Sequence, residues 1–158
     1  MRDWRMWLMP SALVIALDQF TKHRIVQIFS FGDARPVTSY FNLVLAHNTG
    51  AAFSFLAAAG GWQRLFFIVV AAAASAVILY LLRKHARQAR FALALSLVLG
   101  GALGNLIDRI RWGYVVDFLD FYYGNYHWPA FNIADMAITG GVILLVWDSL
   151  RKPGTAKQ

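Results

Sequence analysis

A length of 158 residues suits one domain, but 59% hydrophobic residues, 15% charged residues and a mean hydropathy of +0.50 exclude an ordinary soluble one. The net charge of +7 lies in short basic clusters between apolar runs rather than on one face, which argues for membrane topology and against a nucleic-acid partner. With no cysteine there is no disulfide, thiolate metal site or cysteine nucleophile, and all eight acidic residues are aspartates.

Crossing a bilayer takes roughly 20 apolar residues. The first such segment is the least obvious. Met6–Leu17 is uncharged but short, so the helix is expected to continue through Asp18 towards Arg24, over about residues 6–25. That puts Asp18 at or inside the membrane margin, with Lys22 reaching out to water. Arg2 and Arg5 before an apolar run also resemble a signal peptide. Asp18-Gln19-Phe20-Thr21-Lys22 offers no small-residue cleavage site, so an uncleaved helix is expected.

Residues 26–64 follow as an outer segment. An amphipathic stretch around Ile25–Phe31 is expected to rest on the lipid surface. Val37–Tyr40, Phe41–Leu45 and Ala52–Phe55 mix β-branched and aromatic residues between Gly, Asn and Thr, which predicts a small sheet on the membrane surface. Spans over 65–82 and 91–107 come next. The second carries Gly100 and Gly104 on one face, a pattern that permits close helix packing. A second outer segment, 108–130, includes an alternating stretch, Tyr114–Phe121, before a turn at Gly124-Asn125. The last span covers 131–150.

The fold class is therefore a mostly α-helical membrane protein: four transmembrane helices with a small β-sheet cradle on the outer surface, in one domain. Arg2, Arg5, Arg83, Lys84, Arg87, Arg90, Arg151, Lys152 and Lys157 fall on one side of this arrangement. Lys22, Arg24, Arg35, Arg64, Arg109 and Arg111 fall on the other, which predicts cytoplasmic termini. Six aspartates then gather at the outer side: Asp18, Asp33, Asp108, Asp117, Asp120 and Asp135.

A carboxylate in or beside hydrocarbon costs several kcal/mol and marks a candidate site. Asn105 and Asp108 share a helix face at the end of the third span, where the helix dipole disfavours an acid unless it is paired. Arg109 is the expected partner, and a supporting role for Asp108 is favoured over direct catalysis. Asp135 follows Asn132 by three residues near the start of the last span, and Asp117 sits in its own apolar run. If both face one pocket they can share a proton, one activating water while the other hydrogen-bonds a scissile carbonyl. Spacing alone leaves ion-pathway and packing roles open. His23, His47, His85 and His127 are scattered without metal-ligand spacing, and no Gly-x-Ser-x-Gly is present. Nothing specific supports a Ser–Lys pair with Lys22.

Five stretches, in order, resemble the lipoprotein signal peptidase (signal peptidase II) family. They are Leu17-Asp18-Gln19 with Lys22, Asn48-Thr49-Gly50-Ala51-Ala52-Phe53-Ser54, Gly104-Asn105-Leu106-Ile107-Asp108-Arg109, Val115-Val116-Asp117-Phe118 and Phe131-Asn132-Ile133-Ala134-Asp135. The resemblance covers roughly residues 7–150, with Met136 a small departure where the family often has a small polar residue. It implies an aspartic endopeptidase of the bacterial inner membrane that cleaves diacylglyceryl-modified prolipoproteins just before the lipidated cysteine. It further implies that Asp117 and Asp135 are the catalytic dyad, that Asn48, Gly50, Asn105, Asp108, Arg109, Asn132 and Ala134 line or support the site, and that Asp18 has a less definite role. The segment 48–54 and the sheet are expected to form a cradle or lid. Two carboxylates and water suffice, so no metal or organic cofactor is expected, and a monomer suffices. A proton-coupled transporter is the alternative, though it is expected to spread its aspartates across the bilayer.

Overall fold

The computed structural model describes residues 3–50 and 61–151. The expected strand at 52–55 and most of the 48–54 segment lie outside them. After one 3-10 turn (Trp4–Trp7), the order is α1 (Leu8–Ile28), β1 (Ala34–Thr38), β2 (Phe41–Asn48), α2 (Trp62–His85), α3 (Ala89–Arg111), β3 (Val115–Tyr123), β4 (Tyr126–His127) and α4 (Ile133–Arg151). The last helix begins two residues later than its apolar run suggests, because Phe131 pairs with Leu119 as an extra bridge on the sheet.

Helix α3 is the hub, with α1, α2 and α4 each packed on it. Small residues make this possible. A Cβ on Gly100 would meet the Ser11 carbonyl oxygen and Val14 Cβ, both at 2.8 Å, and one on Gly104 would meet Asp18 Oδ2 at 2.7 Å. Gly101 faces the Ala134 carbonyl, and Gly141 lies against Val98 and Ala94. These pairings run α1 parallel to α3 and α4 antiparallel to it. The expected close approach at Gly100 and Gly104 is present, and α4 uses the same device.

Helices α2, α3 and α4 are long and apolar enough to cross a membrane; α1 falls short by that measure. Its polar residues explain why. Ser11, Val14, Asp18, Lys22 and Ile25 recur every three or four positions and are buried on one face. Met9, Leu13, Leu17 and Phe20 point outward and are exposed. The helix is thus polar inside and apolar outside, the reverse of a helix on a water-soluble protein.

The four strands form one antiparallel sheet in the order β1-β2-β3-β4. Its β2–β3 register pairs Asn48 with Val115, Ala46 with Asp117 and Asn42 with Asp120. The sheet is seated on a cluster of Ile25, Phe29, Leu45, Val116 and Phe118. Within the stretch Ile25–Phe31, Ile25 and Phe29 are buried under the sheet, while Val26, Ile28 and Phe31 are exposed on the other face. At the far end of the bundle, Trp7 Nε1 donates to the Ala86 carbonyl (3.0 Å) and Arg83 lies over the Trp4 ring. The basic α2–α3 turn and the chain start therefore share the end opposite the sheet.

Candidate active site

Asp18, Asp108, Asp117 and Asp135 meet where the ends of α1 and α3, the start of α4 and strand β3 converge, while Asp33 and Asp120 make their contacts elsewhere on the outer segments. Asn132 is the junction. Its side-chain oxygen accepts from the Asp135 N–H (3.0 Å) while Asp135 Oδ2 accepts from the Asn132 N–H (3.3 Å). This is a reciprocal capping box, which is why α4 starts here and why Asp135 sits in its first turn. The Asn132 amide then donates from Nδ2 to Asp117 Oδ1 (2.7 Å), tying the helix to the strand. Asp117 Oδ2 also accepts from Asn48 Nδ2 (3.1 Å), and Asp135 Oδ1 accepts from Asn105 Nδ2 (2.8 Å).

Burial pushes the Asp117 carboxyl up to about 7, with the nearby Asp135 charge adding to the rise. The Asn48 and Asn132 hydrogen bonds and the Lys22 charge oppose it. Near neutral pH Asp117 can therefore still hold a proton beside Asp135.

Behind this pair is a buried ion cluster. Lys22 Nζ lies 2.8 Å from Asp18 Oδ2, 2.8 Å from Asp108 Oδ2 and 2.9 Å from Asn105 Oδ1. Gln19 Nε2 donates to Asp108 Oδ1 (2.9 Å), and Val116 N–H donates to Asp108 Oδ2 (3.1 Å). Asp18 Oδ1 accepts from the Ala134 N–H at 2.9 Å, placing an anion on the N-terminus of α4. Two expectations are corrected here. Lys22 does not reach out to water but is 3% exposed, because two carboxylates hold it inside. Asp108 pairs with Lys22 rather than with Arg109, which is turned to the other side of α3.

Arg109 Nη2 instead donates to the Gly50 carbonyl (2.7 Å), and its guanidinium lies over the Phe67 ring. Gly50 N–H donates back to Asn48 Oδ1 (3.0 Å), so Arg109, Gly50 and Asn48 form a short arm leading to Asp117. All eight residues expected to support the site thus fall on it or directly behind it, Ala134 by its backbone. Lys22 and Gln19 complete the set. The sequence carried a signal for Lys22, since it lies four residues after Asp18, the spacing of an ion pair on one helix face.

Asp117 and Asp135 open into one cavity of about 1020 Å³, whose lining also includes His47, Asn105, Arg109, Phe131 and Trp128. Away from the carboxylates its walls become apolar: Phe67, Val70, Ala71 and Ala74 from α2, Val98 and Ala102 from α3, and Met136 and Ile138 from α4. It is a slot between α2 and α4 with α3 as its floor, polar at one end only.

The Signal peptidase (SPase) II family matches residues 11–151. The lipoprotein signal peptidase of Cupriavidus necator is 58% identical over 147 residues, covering 93% of this chain and 84% of that one. That of Janthinobacterium sp. (strain Marseille) is 54% identical over 148 residues, 94% and 90% of the two chains. A solved structure of a bacterial membrane enzyme superposes with a TM-score of 0.86 at 34% identity, covering 97% of this chain and 92% of the other. A second solved structure, likewise described as a bacterial membrane enzyme, gives 0.82 at the same identity. A match over nearly the whole chain, in sequence and in fold, places this protein in the signal peptidase II family of peptidases.

Proposed function

We propose that this protein cuts the signal peptide from prolipoproteins whose lipobox cysteine carries a diacylglyceryl group, hydrolysing the bond before that cysteine with Asp117 and Asp135. The observation that carries the reading is the pair of carboxyls, Asp117 buried and Asp135 partly so, bridged by Asn132 at the polar end of an otherwise apolar slot. The ionised carboxylate takes a proton from water as it attacks the scissile carbonyl. The protonated partner hydrogen-bonds the carbonyl oxygen and supports the charge that develops there. Collapse of the tetrahedral intermediate breaks the C–N bond, and a proton passes to the leaving amine. Asn48, Asn105 and Asn132 hold the two carboxyls in place. Arg109 and Gly50 border the cleft, and Asp18, Asp108 and Ala134 fix the helices behind it.

The apolar walls of α2 and α4 suit a hydrophobic signal helix and acyl chains, with the peptide bond delivered to the polar end. In this reading α1 is the fourth span. Twenty-one residues give about 30 Å of helix, the thickness of the hydrocarbon core. The charges of Asp18 and Lys22 are satisfied inside the bundle, Arg24 is exposed towards its end, and the outward face of the preceding turns is apolar. The protein is then a monomer in the bacterial inner membrane, with both termini cytoplasmic and the site near the outer face. The transporter alternative has no support: the four aspartates buried in or near the helices collect at one end, and the α2 walls of the slot carry no titratable group among the described residues.

The direct test is to incubate purified protein and chelator with one precursor in diacylglyceryl-modified and unmodified forms. Cleavage before the modified cysteine only is expected. Equal cleavage of both forms, or dependence on added metal, overturns the reading.

A further inference from the structure

We infer that Asp135 is the ionised member of the pair and Asp117 the protonated one, and that Lys22 enforces this division by positioning Asn105. The inference rests on the two acids being the reacting dyad.

Among the described residues each carboxyl accepts two N–H donors, so these bonds do not distinguish them. Their settings do. Asp135 sits in the first turn of a 19-residue helix, whose N-terminus favours negative charge. Asp117 sits on a strand, 3% exposed between apolar neighbours, without that help. Desolvation is what keeps its proton on.

Asn105 supplies the second asymmetry. Its Oδ1 receives Lys22 Nζ at 2.9 Å and Asn132 Nδ2 at 3.3 Å. A flipped amide would set its own NH₂ against two donors, so the orientation is locked. The locked amide must aim Nδ2 at Asp135 Oδ1, and Nδ2 can only donate. That oxygen is therefore held as an acceptor, as Asp117 Oδ1 is by Asn132; the difference is that the donor to Asp135 is itself anchored by the Lys22 ammonium. Lys22 reaches the reacting group through Asn105 and does not touch it, which makes it a positioning residue.

The charged and titratable groups around Asp135 come from every side. Asp18 and Lys22 project from α1, Asp108 and Arg109 from α3, and Asp117 from β3, while His47 of β2 lines the same cavity. Lys22 balances the acids of α1 and α3. Without it, the Asp18 carboxylate faces Asp135 with its nearest counter-charge gone, leaving Arg109 on the other side of α3, and the Asn105 amide loses its anchor.

Two measurements test this. In infrared difference spectra at about pH 5.5, wild type minus Asp117→Asn should show a protonated carboxyl band, and wild type minus Asp135→Asn should not. The reverse pattern overturns the assignment whether or not any variant is active. In the pH profile of kcat/KM, Lys22→Gln should move the acid limb up by about one pH unit, while Lys22→Arg keeps it in place. A Lys22→Gln enzyme, or a Lys22→Arg enzyme if the first does not fold, departing from this pattern overturns the role of Lys22. Failure of wild type to cleave a lipidated precursor would instead strike the function, leaving the infrared assignment standing.

Discussion

Asp117 carries its proton to about pH 7 because burial makes the ionised form costly. Two pH effects follow. In the proposed mechanism cleavage needs one proton on the pair, so the rate should fall as pH rises through about 7, where that proton is lost. Stability moves in the same direction. A carboxyl whose folded value lies above its unfolded value of about 3.9 favours the fold while protonated, and that advantage is lost as pH climbs from there to about 7. Asp117→Asn lacks the penalty and should gain thermal stability on wild type across that interval; a constant difference in Tm would contradict the burial argument. The aspartates and asparagines were legible in the sequence because Asn105 with Asp108 and Asn132 with Asp135 keep helical spacing inside apolar runs. Lys22 was misplaced for a physical reason. A lysine beside lipid is expected to seek water, and only three-dimensional packing supplies the second carboxylate, Asp108, that keeps it in.

Helix contacts place these groups, and they rest on glycine and on charge. A Cβ on Gly101 would run into the Ala134 carbonyl and Ile138, pushing away the helix that bears Asp135. Gly101→Ala should therefore cost about 1–3 kcal/mol and most of the activity. Gly140→Ala, with nothing within 4 Å, should be neutral or mildly stabilising in the same unfolding assay. Asp18 joins α1 to α4 by accepting from Ala134 N–H and pairing with Lys22. Asp18→Ala breaks a buried pair and a helix cap together, a loss of about 3–5 kcal/mol; an unchanged Tm would refute its bracing role. The apolar runs of α2, α3 and α4 were plain in the sequence, as was the alternation of β3. The polar residues of α1 obscured it, since hydropathy averages over a face that points inward and a face that points to lipid. Helix geometry already spoke against Arg109 as the Asp108 partner, since adjacent residues point to different sides, but the true partner on α1 is supplied only by the packing of α1 on α3.

Across the whole molecule, charge and chemistry are separated end to end. The sheet, the aspartates and the polar mouth of the slot occupy one end, and the basic α2–α3 turn, Trp4 and Trp7 the other. That polarity predicts an orientation, which can be measured. A topology reporter inserted at the β3–β4 turn near Asn125 should read outside the cytoplasm, and one at Arg87 inside; the opposite result would invert the placement. The account turns on two carboxyls acting as one reacting unit. Its most direct test is the cleavage rate of a lipidated precursor by purified wild type, Asp117→Asn and Asp135→Asn, each first shown to be folded by its thermal transition. Both variants should lose about 10³-fold or more. Wild-type rates from either folded variant would contradict the account.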